Sequence, residues 1–215
     1  ARAGLACTDL DAIFITHEHS DHVGCALSFA QQHGIALWMS AGTHAAIGSP
    51  AIGPLLHLVR DGESIDLGVL EARPFTVPHD AREPLQLRCS DGAKHLGIAT
   101  DFGHATPHVL AHLAGCHALL LEANHDQQLL AQSAYPPFLK RRIGGTHGHL
   151  ANTAAAAILA AVSHPGLHQV VAAHLSERNN RPELVRTLFA QTLGWDANAI
   201  EIADPGCGTP WMTVD

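Results

Sequence analysis

The sequence predicts a single α/β domain in which alternating strands and helices pack in layers. Apolar patterns typical of buried strands and of helices follow one another along the 215 residues, and no low-complexity linker divides them. Hydrophobic residues make up 47% of the chain and charged residues 15%, which is enough apolar material for a sizeable core. We therefore expect residues 1–215 to form one folded domain.

The first half of the chain is predicted to begin with two short strands around a helix and to continue with a hairpin. Gly34 ends the helix, and Asp91-Gly92 supplies the turn of the hairpin. The predicted strands are 11–16, 35–39, 68–77, 85–89 and 95–100, and the predicted helix is 23–33.

The second half is predicted to alternate helices with strands until a terminal edge strand. Pro182 suits the first turn of a helix, and the segment from Asn152 is rich in alanine, a strong helix former. The predicted helices are 107–114, 152–162 and 182–193, and the predicted strands are 118–121 and 169–173, followed by an edge strand and loop in 200–215.

Composition limits the function before any motif is considered. The net charge is −8, so a broadly basic nucleic-acid-binding surface is absent, and an anionic substrate would need a local device such as metal ions. Eighteen histidines point to metal or acid–base chemistry. The five cysteines form no C-x-x-C, which favours a reducing, cytoplasmic location. No apolar run approaches the ~18 residues of a membrane helix, so no membrane partner is expected.

The strongest local motif follows the first predicted strand and precedes the first predicted helix. It reads Thr16-His-Glu-His-Ser-Asp-His22. His17 and His19 are two residues apart, so an extended chain points both imidazoles to one side. Asp21 and His22 lie where the chain turns into the helix and can face a neighbouring point. The motif therefore offers ligands for two adjacent metal ions.

This motif resembles that of the metallo-β-lactamase superfamily, which implies a four-layer αββα sandwich with a dinuclear metal site at one edge of its sheets. Three further candidates end predicted strands in the order of the superfamily: His79, Asp101 and His174. The resemblance implies that one ion is held by His17, His19 and His79, and the other by Asp21, His22 and His174, with Asp101 bridging both. Zn²⁺ or Mn²⁺ would suit such ligands.

The flanking residues resemble those of the WalJ/YycJ group of bacterial metallo-β-lactamase-fold hydrolases, and more widely the ribonuclease Z type of phosphodiesterase. The resemblance covers nearly the whole chain. The matching motifs are Val77-Pro-His-Asp-Ala81, Thr100-Asp-Phe-Gly-His104, Leu121-Glu-Ala-Asn-His-Asp126, Gly148-His-Leu-Ala-Asn152 and Ala173-His-Leu-Ser-Glu-Arg-Asn-Asn180.

The resemblance implies a dinuclear phosphodiesterase, a 5′→3′ exonuclease on DNA, in which a hydroxide between the ions attacks phosphorus. Asp21 is counted as a catalytic residue as well as a ligand. His149 matches the general acid in the corresponding motif of the phosphodiesterases, and His147 is the alternative candidate. Glu122 would orient His174 or the acid, although a buried Glu–Arg pair is the alternative.

Basic residues near these motifs are the candidates for substrate binding. Lys140 and Arg141 belong to the single basic cluster of the sequence, and Arg178 follows His174. These side chains could contact the phosphates of a nucleic acid, so the expected partner is a nucleic acid substrate, DNA. A solvated basic turn of a helix is the alternative. A homo-oligomer is a further expectation.

Two departures from the family pattern leave other functions open. Ala151 stands where the group has serine, and the metal motif lies so near the start that we expect the family's first strands to be missing. An inactive metal-binding remnant is therefore one alternative. A hydrolase of lactones, thioesters or β-lactams is the other, because the same ligands could serve either reaction.

Overall fold

The computed structural model describes residues 3–214, which form two β-sheets and the helices that cover them. The strands are β1 Ala12–Phe14, β2 Ala36–Met39, β3 Leu56–Leu58, β4 Ile65–Asp66, β5 Glu71–Thr76, β6 Leu85–Ser90, β7 His95–Ala99, β8 Ala118–Glu122, β9 Gln169–Ala173 and β10 Ile200–Ile202. The helices are α1 Ser20–Val23, α2 Ala26–His33, α3 Ala41–Ala46, α4 Pro107–Leu113, α5 Gln127–Gln132, α6 Pro137–Ile143, α7 Asn152–Val162 and α8 Pro182–Leu193.

The smaller sheet is parallel and has the strand order β1-β2-β3. Successive side chains of a strand point to opposite faces, which explains why Leu37 and Trp38 enter different cores. Leu37 and Met39 pack with Ala30 of α2 on the outer face. The helix between β1 and β2 thus forms the first outer layer of the fold.

The larger sheet has the order β10-β9-β8-β7-β6-β5-β4. Strands β7 to β10 are parallel, whereas β4 to β7 pair antiparallel through hairpins. Its outer face carries the largest apolar core, in which Phe75 and Leu121 of the sheet meet Val109, Leu159 and Phe189 of three helices. Helices α4, α7 and α8 therefore form the second outer layer.

A third apolar core lies between the two sheets. Phe14 and Trp38 of the smaller sheet pack with Leu85, Leu87 and Cys89 of the larger one. The order of layers is helix, sheet, sheet, helix, which confirms the predicted αββα sandwich. Among residues 3–214 no helix is long and apolar enough to cross a membrane.

Several predicted elements have the observed bounds, namely helices 152–162 and 182–193 and strand 169–173. The prediction of one helix over 23–33 was wrong, because the backbone of Gly24 has φ 44° and separates α1 from α2. The strand predicted from residue 68 begins at Glu71, because Leu67 N–H donates to Leu70 C=O in a tight turn. Strand β10 lies at the sheet edge as predicted, and residues 1, 2 and 215 of the predicted domain and tail lie outside the described residues.

The prediction did not include the short elements α3, α5, α6, β3 and β4, which are too short to show a period. Two of the helices carry a local start signal. Ser40 accepts a hydrogen bond from Thr43 N–H at the start of α3, and Asp126 accepts from Gln128 and Leu129 N–H at the start of α5.

Candidate metal centre

The metal-ligand candidates lie at one edge of the molecule, where chain segments leave the strands. His17 and His19 follow β1, His79 follows β5, Asp101 follows β7 and His174 follows β9. Strands β5, β7 and β9 run in the same direction, so their carboxyl ends share one edge of the larger sheet. The fold thus brings together residues that are far apart in sequence.

The first group consists of three histidines whose ring nitrogens face one another. His17 Nε2 lies 3.0 Å from His19 Nδ1, and His79 Nε2 lies 3.4 Å from the same atom. His79 Nδ1 donates to the carbonyl oxygen of Gly148 at 3.1 Å, which leaves the lone pair of Nε2 pointing to the other rings. His17 and His79 are buried.

The second group is arranged around the buried carboxylate of Asp101. Its Oδ2 lies 3.3 Å from His22 Nε2, and its Oδ1 lies 3.3 Å from His174 Nδ1. The ligand atoms of His17, His22 and Asp101 all lie within 4.8 Å of one another, as do those of Asp21, His22 and His174. Asp101 therefore lies within reach of ligand atoms from His17 in the first group and from His22 and His174 in the second.

The donor set fits divalent metal ions. Facing imidazole nitrogens can share only one hydrogen per pair, so three converging rings leave lone pairs that hydrogen bonds do not satisfy. Asp101 Oδ2 is buried and has no hydrogen-bond partner within residues 3–214. Imidazole and carboxylate are the ligands that Zn²⁺ and related ions accept in proteins.

Electrostatics favours the ligand forms of these residues. Burial, assisted by His22, lowers the pKa of His17 to about 3, so this imidazole is neutral. Burial also lowers the pKa of His79. Burial would raise the pKa of Asp101, but the nearby His22 ring and the charge of His174 outweigh it and lower that pKa, so the carboxylate is ionised.

Glu122 connects two histidines beside these groups. Its Oε1 accepts hydrogen bonds from Nδ1 of His149 and of His174, both at 2.8 Å. Its Oε2 accepts from the N–H groups of Phe102 at 3.1 Å and Leu150 at 3.2 Å. The alternative of a buried Glu–Arg pair is wrong, because histidines and backbone amides satisfy this carboxylate.

These bonds shift the pKa values of both partners. Burial would raise the pKa of Glu122, but the bonds from His149 and His174 outweigh it and lower that pKa. Burial would lower the pKa of His174, but the bond to Glu122 and the charge of Asp101 raise it to about 9. In the absence of a metal ion, Glu122 is therefore ionised and His174 is protonated.

Two site residues have strained backbones. Asp101 has φ 55° and His174 has φ 57°, a left-handed conformation that is uncommon for residues other than glycine. Such conformations persist where neighbouring contacts impose them. Asn124, which the prediction did not include, donates from Nδ2 to the carbonyl oxygen of His174 at 2.9 Å and so fixes this turn.

A cavity of about 490 Å³ lies over the ligand candidates, and α6 with the segment before it forms one wall. Tyr135, Leu139 and Arg142 line this wall. Arg142 Nε donates to Asp80 Oδ2 at 2.6 Å, and Asp80 Oδ1 lies 3.8 Å from His19 Nε2. The predicted site residues did not include Arg142 or Asp80, although Asp80 belongs to one of the matching motifs and Arg142 belongs to the basic cluster.

The structure does not bring all predicted substrate-binding residues to this cavity. Lys140 Nζ donates to the carbonyl oxygen of Ala131 at 2.6 Å, and Arg141 is exposed on α6 outside the cavity lining. The guanidinium carbon of Arg178 lies 6.0 Å from the centre of the Tyr135 ring. Arg142 lines the cavity instead, because the turn of α6 directs it there.

The two candidates for the general acid occupy different environments. His149 lines the cavity and binds Glu122, which lies at the end of β8. His147 is exposed, and its ring centre lies 6.5 Å from that of His104. The geometry therefore favours His149 over His147.

Known proteins similar to this chain were found by sequence. A family model described as “Beta-lactamase superfamily domain” matches residues 2–175. The chain is 32% identical over 197 residues to the exodeoxyribonuclease YycJ of Bacillus anthracis, with 89% of this chain and 74% of that protein covered. It is 30% identical over 212 residues to the exodeoxyribonuclease WalJ of Streptococcus pneumoniae serotype 2 strain D39, with 96% of this chain and 76% of that protein covered.

The fold is also similar to solved structures. The metallo-beta-lactamase fold protein YhfI from Bacillus subtilis matches with a TM-score of 0.72 at 16% identity, over 94% of this chain and 78% of that one. This likeness confirms the fold, and the sequence matches confirm the resemblance to the WalJ/YycJ group. The chain therefore belongs to the β-lactamase superfamily, in the group of YycJ and WalJ, and is a metal-dependent hydrolase.

Proposed function

We propose that this protein is a phosphodiesterase that degrades DNA from the 5′ end with the help of two divalent metal ions, Zn²⁺ or Mn²⁺. The observation that carries the proposal is the position of the Asp101 carboxylate between two groups of ligand atoms, beside the Glu122–His149 pair. The substrate class is supported by the relatives at 30–32% identity that are named exodeoxyribonucleases.

The ligand candidates divide between the two ions. His17, His19 and His79 would hold one ion, Asp21, His22 and His174 the other, and Asp101 both. When bound, such ions lower the pKa of a water molecule to about 7 and neutralise phosphate charge. The ionised carboxylate of Asp101 and the neutral ring of His17 are already in their ligand forms, whereas His174 would lose a proton when it binds an ion.

His149 is proposed to supply the proton to the leaving oxygen. Glu122 accepts from His149 Nδ1, which orients the ring and leaves Nε2 to hold the transferred proton. Glu122 is therefore a positioning residue, and His149 is the general acid.

Arg142 is proposed to bind a substrate phosphate at the cavity wall. Asp80 engages Arg142 Nε, so the two terminal nitrogens of the guanidinium can bind phosphate oxygens. A local cation next to the metal ligands accounts for binding of an anionic polymer by a chain whose net charge is −8. Tyr135 on the same wall could stack against a base.

The first experiment measures degradation of a 5′-labelled DNA duplex, and of a 3′-labelled one for polarity, by the metal-loaded chain. Zn²⁺ and Mn²⁺ are supplied separately. We expect cleavage that Asp101→Ala abolishes and that the exposed control Asp11→Ala retains. A folded chain that binds two ions and cleaves no DNA would contradict the nuclease proposal and favour a small-molecule hydrolase. A folded chain that binds no metal would favour the inactive remnant.

The second experiment separates substrate binding from chemistry. Arg142→Ala is compared with Arg141→Ala, a variant of the neighbouring arginine that lies outside the cavity lining. We expect KM for DNA to rise about tenfold or more in Arg142→Ala, because a hydrogen bond to a charged group contributes about 1.5–3 kcal/mol. Arg141→Ala is expected to bind as the wild type does. Equal effects of the two substitutions would contradict this role of Arg142.

A further inference from the structure

A second cluster of metal-ligand residues lies outside the site described above. Asp61 is in the turn between β3 and β4, and His108 and His112 are on α4 in the outer helical layer. One ligand atom from each of the three side chains lies within 4.8 Å of the others. None of the three residues lines the cavity over the metal centre.

The two histidines have the spacing of a chelating pair on a helix. Residues four apart on an α-helix lie on the same face, one turn above the other. The ring centres of His108 and His112 are 4.6 Å apart. The His112 ring also stacks on Phe75 of β5, with centres 4.7 Å apart and an angle of 11° between the planes. This stacking fixes the orientation of one ligand before any ion binds.

A rigid turn supplies the carboxylate. Glu63 N–H donates to Arg60 C=O at 3.1 Å, and Gly62, at φ 78°, takes the left-handed position of this turn. Gly62 N–H also donates to Pro74 C=O at 2.8 Å, which attaches the turn to β5. The Asp61 carboxylate oxygens consequently lie 3.0 and 3.1 Å from His108 Nε2.

The surrounding charges leave the site able to accept a cation. Arg88 Nη1 donates to the carbonyl oxygens of His112 and Ala114. Arg73 is paired with Glu71 at 3.0 Å. Burial, His108 and these arginines lower the pKa of His112 against the opposing charge of Asp61, so this imidazole is in the neutral form that binds metals.

We infer that Asp61, His108 and His112 form a separate metal site that binds one divalent transition-metal ion such as Zn²⁺. Two imidazole nitrogens and one carboxylate oxygen are a donor set that Zn²⁺ accepts, and solvent would complete the coordination because Asp61 and His108 are exposed. An ion held there would connect the outer helix α4 to the turn before β4. A bound ion would therefore stabilise the packing of the outer helical layer on the larger sheet.

The test counts Zn²⁺ ions bound per chain after equilibrium dialysis of the full chain, with metal analysis by mass spectrometry. We expect His108→Ala and Asp61→Asn each to bind one ion fewer than the wild type. His168→Ala is the matched control, because His168 is exposed and belongs to no group of ligand atoms among the described residues. If the main metal centre bound fewer ions than proposed, the count would fall equally in the wild type and in every variant. The difference between each variant and the wild type therefore tests this inference separately from the proposed function.

Thermal unfolding gives a second measurement that does not depend on activity. Zn²⁺ added to the chain is expected to raise Tm more in the wild type and in His168→Ala than in His108→Ala, since an ion bound only to the folded state stabilises it. The inference is overturned if His108→Ala and Asp61→Asn bind as many ions as the wild type. It is also overturned if His168→Ala loses an ion as they do.

Discussion

At the scale of single residues, the fully buried Glu122 joins the two parts of the proposed site. Its two oxygens accept four hydrogen bonds, two of them from the imidazoles of His149 and His174. A carboxylate with this burial is stable only because every oxygen is satisfied. One side chain therefore orients both the proposed general acid and a proposed metal ligand.

Replacing Glu122 with glutamine tests this role. Glu122→Gln removes the negative charge and one acceptor oxygen, so its amide nitrogen would face the N–H groups of Phe102 and Leu150 if its oxygen kept both imidazoles. We expect DNA hydrolysis to fall about 10- to 100-fold. Steady-state kinetics across pH is the measurement, and a shift of the alkaline limb, where a general acid loses its proton, separates a proton-related role from simple loss of structure. The exposed Glu71→Gln is the control, and equal losses in both variants would contradict this role.

His125 is a residue whose protonation opposes folding. Burial lowers its pKa below the ordinary value of 6.5, and its Nδ1 has no hydrogen-bond partner within residues 3–214. The unfolded chain therefore binds a proton at higher pH than the folded chain. The stability that the folded chain gains from a neutral His125 is fully present above pH 6.5, where the unfolded side chain is neutral too. It is lost as the pH falls below 6.5. Urea unfolding of the metal-free protein at about pH 7.5 and about pH 5.5 measures the loss.

The variant His125→Gln isolates this contribution, because the other buried histidines titrate in both proteins. We expect the free energy of unfolding to decrease less on acidification in His125→Gln than in the wild type. The same decrease in both proteins would show that His125 does not contribute.

At the scale of elements, the loop between α6 and α7 brings His149 to the site. Gly148 passes so close to the carbonyl oxygens of Arg142 and Ile143 that a Cβ atom there would overlap with backbone. The same loop accepts from His79 through Gly148 C=O. A glycine is therefore required at this position by close approach, and not by a positive φ.

Substitution of this glycine tests the packing of the loop. Gly148→Ala is expected to lower the free energy of unfolding by about 1–3 kcal/mol, because backbone atoms must move to admit the methyl group. Gly144→Ala is the matched control, since the nearest atom to its added Cβ, the Lys140 oxygen, is 3.4 Å away. Chemical denaturation compares the two variants. A similar stability for both would contradict the predicted overlap.

At the scale of the whole molecule, the proposed metal ligands follow strands of both sheets. His17 follows β1 in the smaller sheet, and Asp101 follows β7 in the larger one. Without an ion, ring nitrogens face one another and Asp101 Oδ2 lacks a hydrogen-bond partner among the described residues. Ion binding should therefore stabilise the packing of one sheet on the other.

Metal removal tests this coupling. We expect a chelator to lower Tm by about 10 °C, because an ion present at about 1,000 times its Kd contributes about 4 kcal/mol to the folded state. Differential scanning calorimetry with and without the chelator is the measurement. Asp101→Ala should show a much smaller difference. An equal difference in that variant would indicate that the stabilising ion is bound elsewhere.

The sequence by itself determined the fold class and identified most residues of the candidate metal centre. The periods and end signals of α7, β9 and α8 are contained within the segments themselves, so their bounds were predicted. The motif from His17 to His22 contains several ligand candidates within six residues. Short local spacing is enough to reveal such features because neighbours in sequence are neighbours in space.

Only the tertiary structure decided which distant side chains meet. Glu122 binds His149 and His174, which are 27 and 52 residues away, and Arg142 binds Asp80 across 62 residues. These contacts follow from the order of strands in the larger sheet and from the turn of α6, neither of which a local pattern specifies. The prediction consequently placed Lys140 and Arg141 at the substrate, whereas packing directs Arg142 into the cavity.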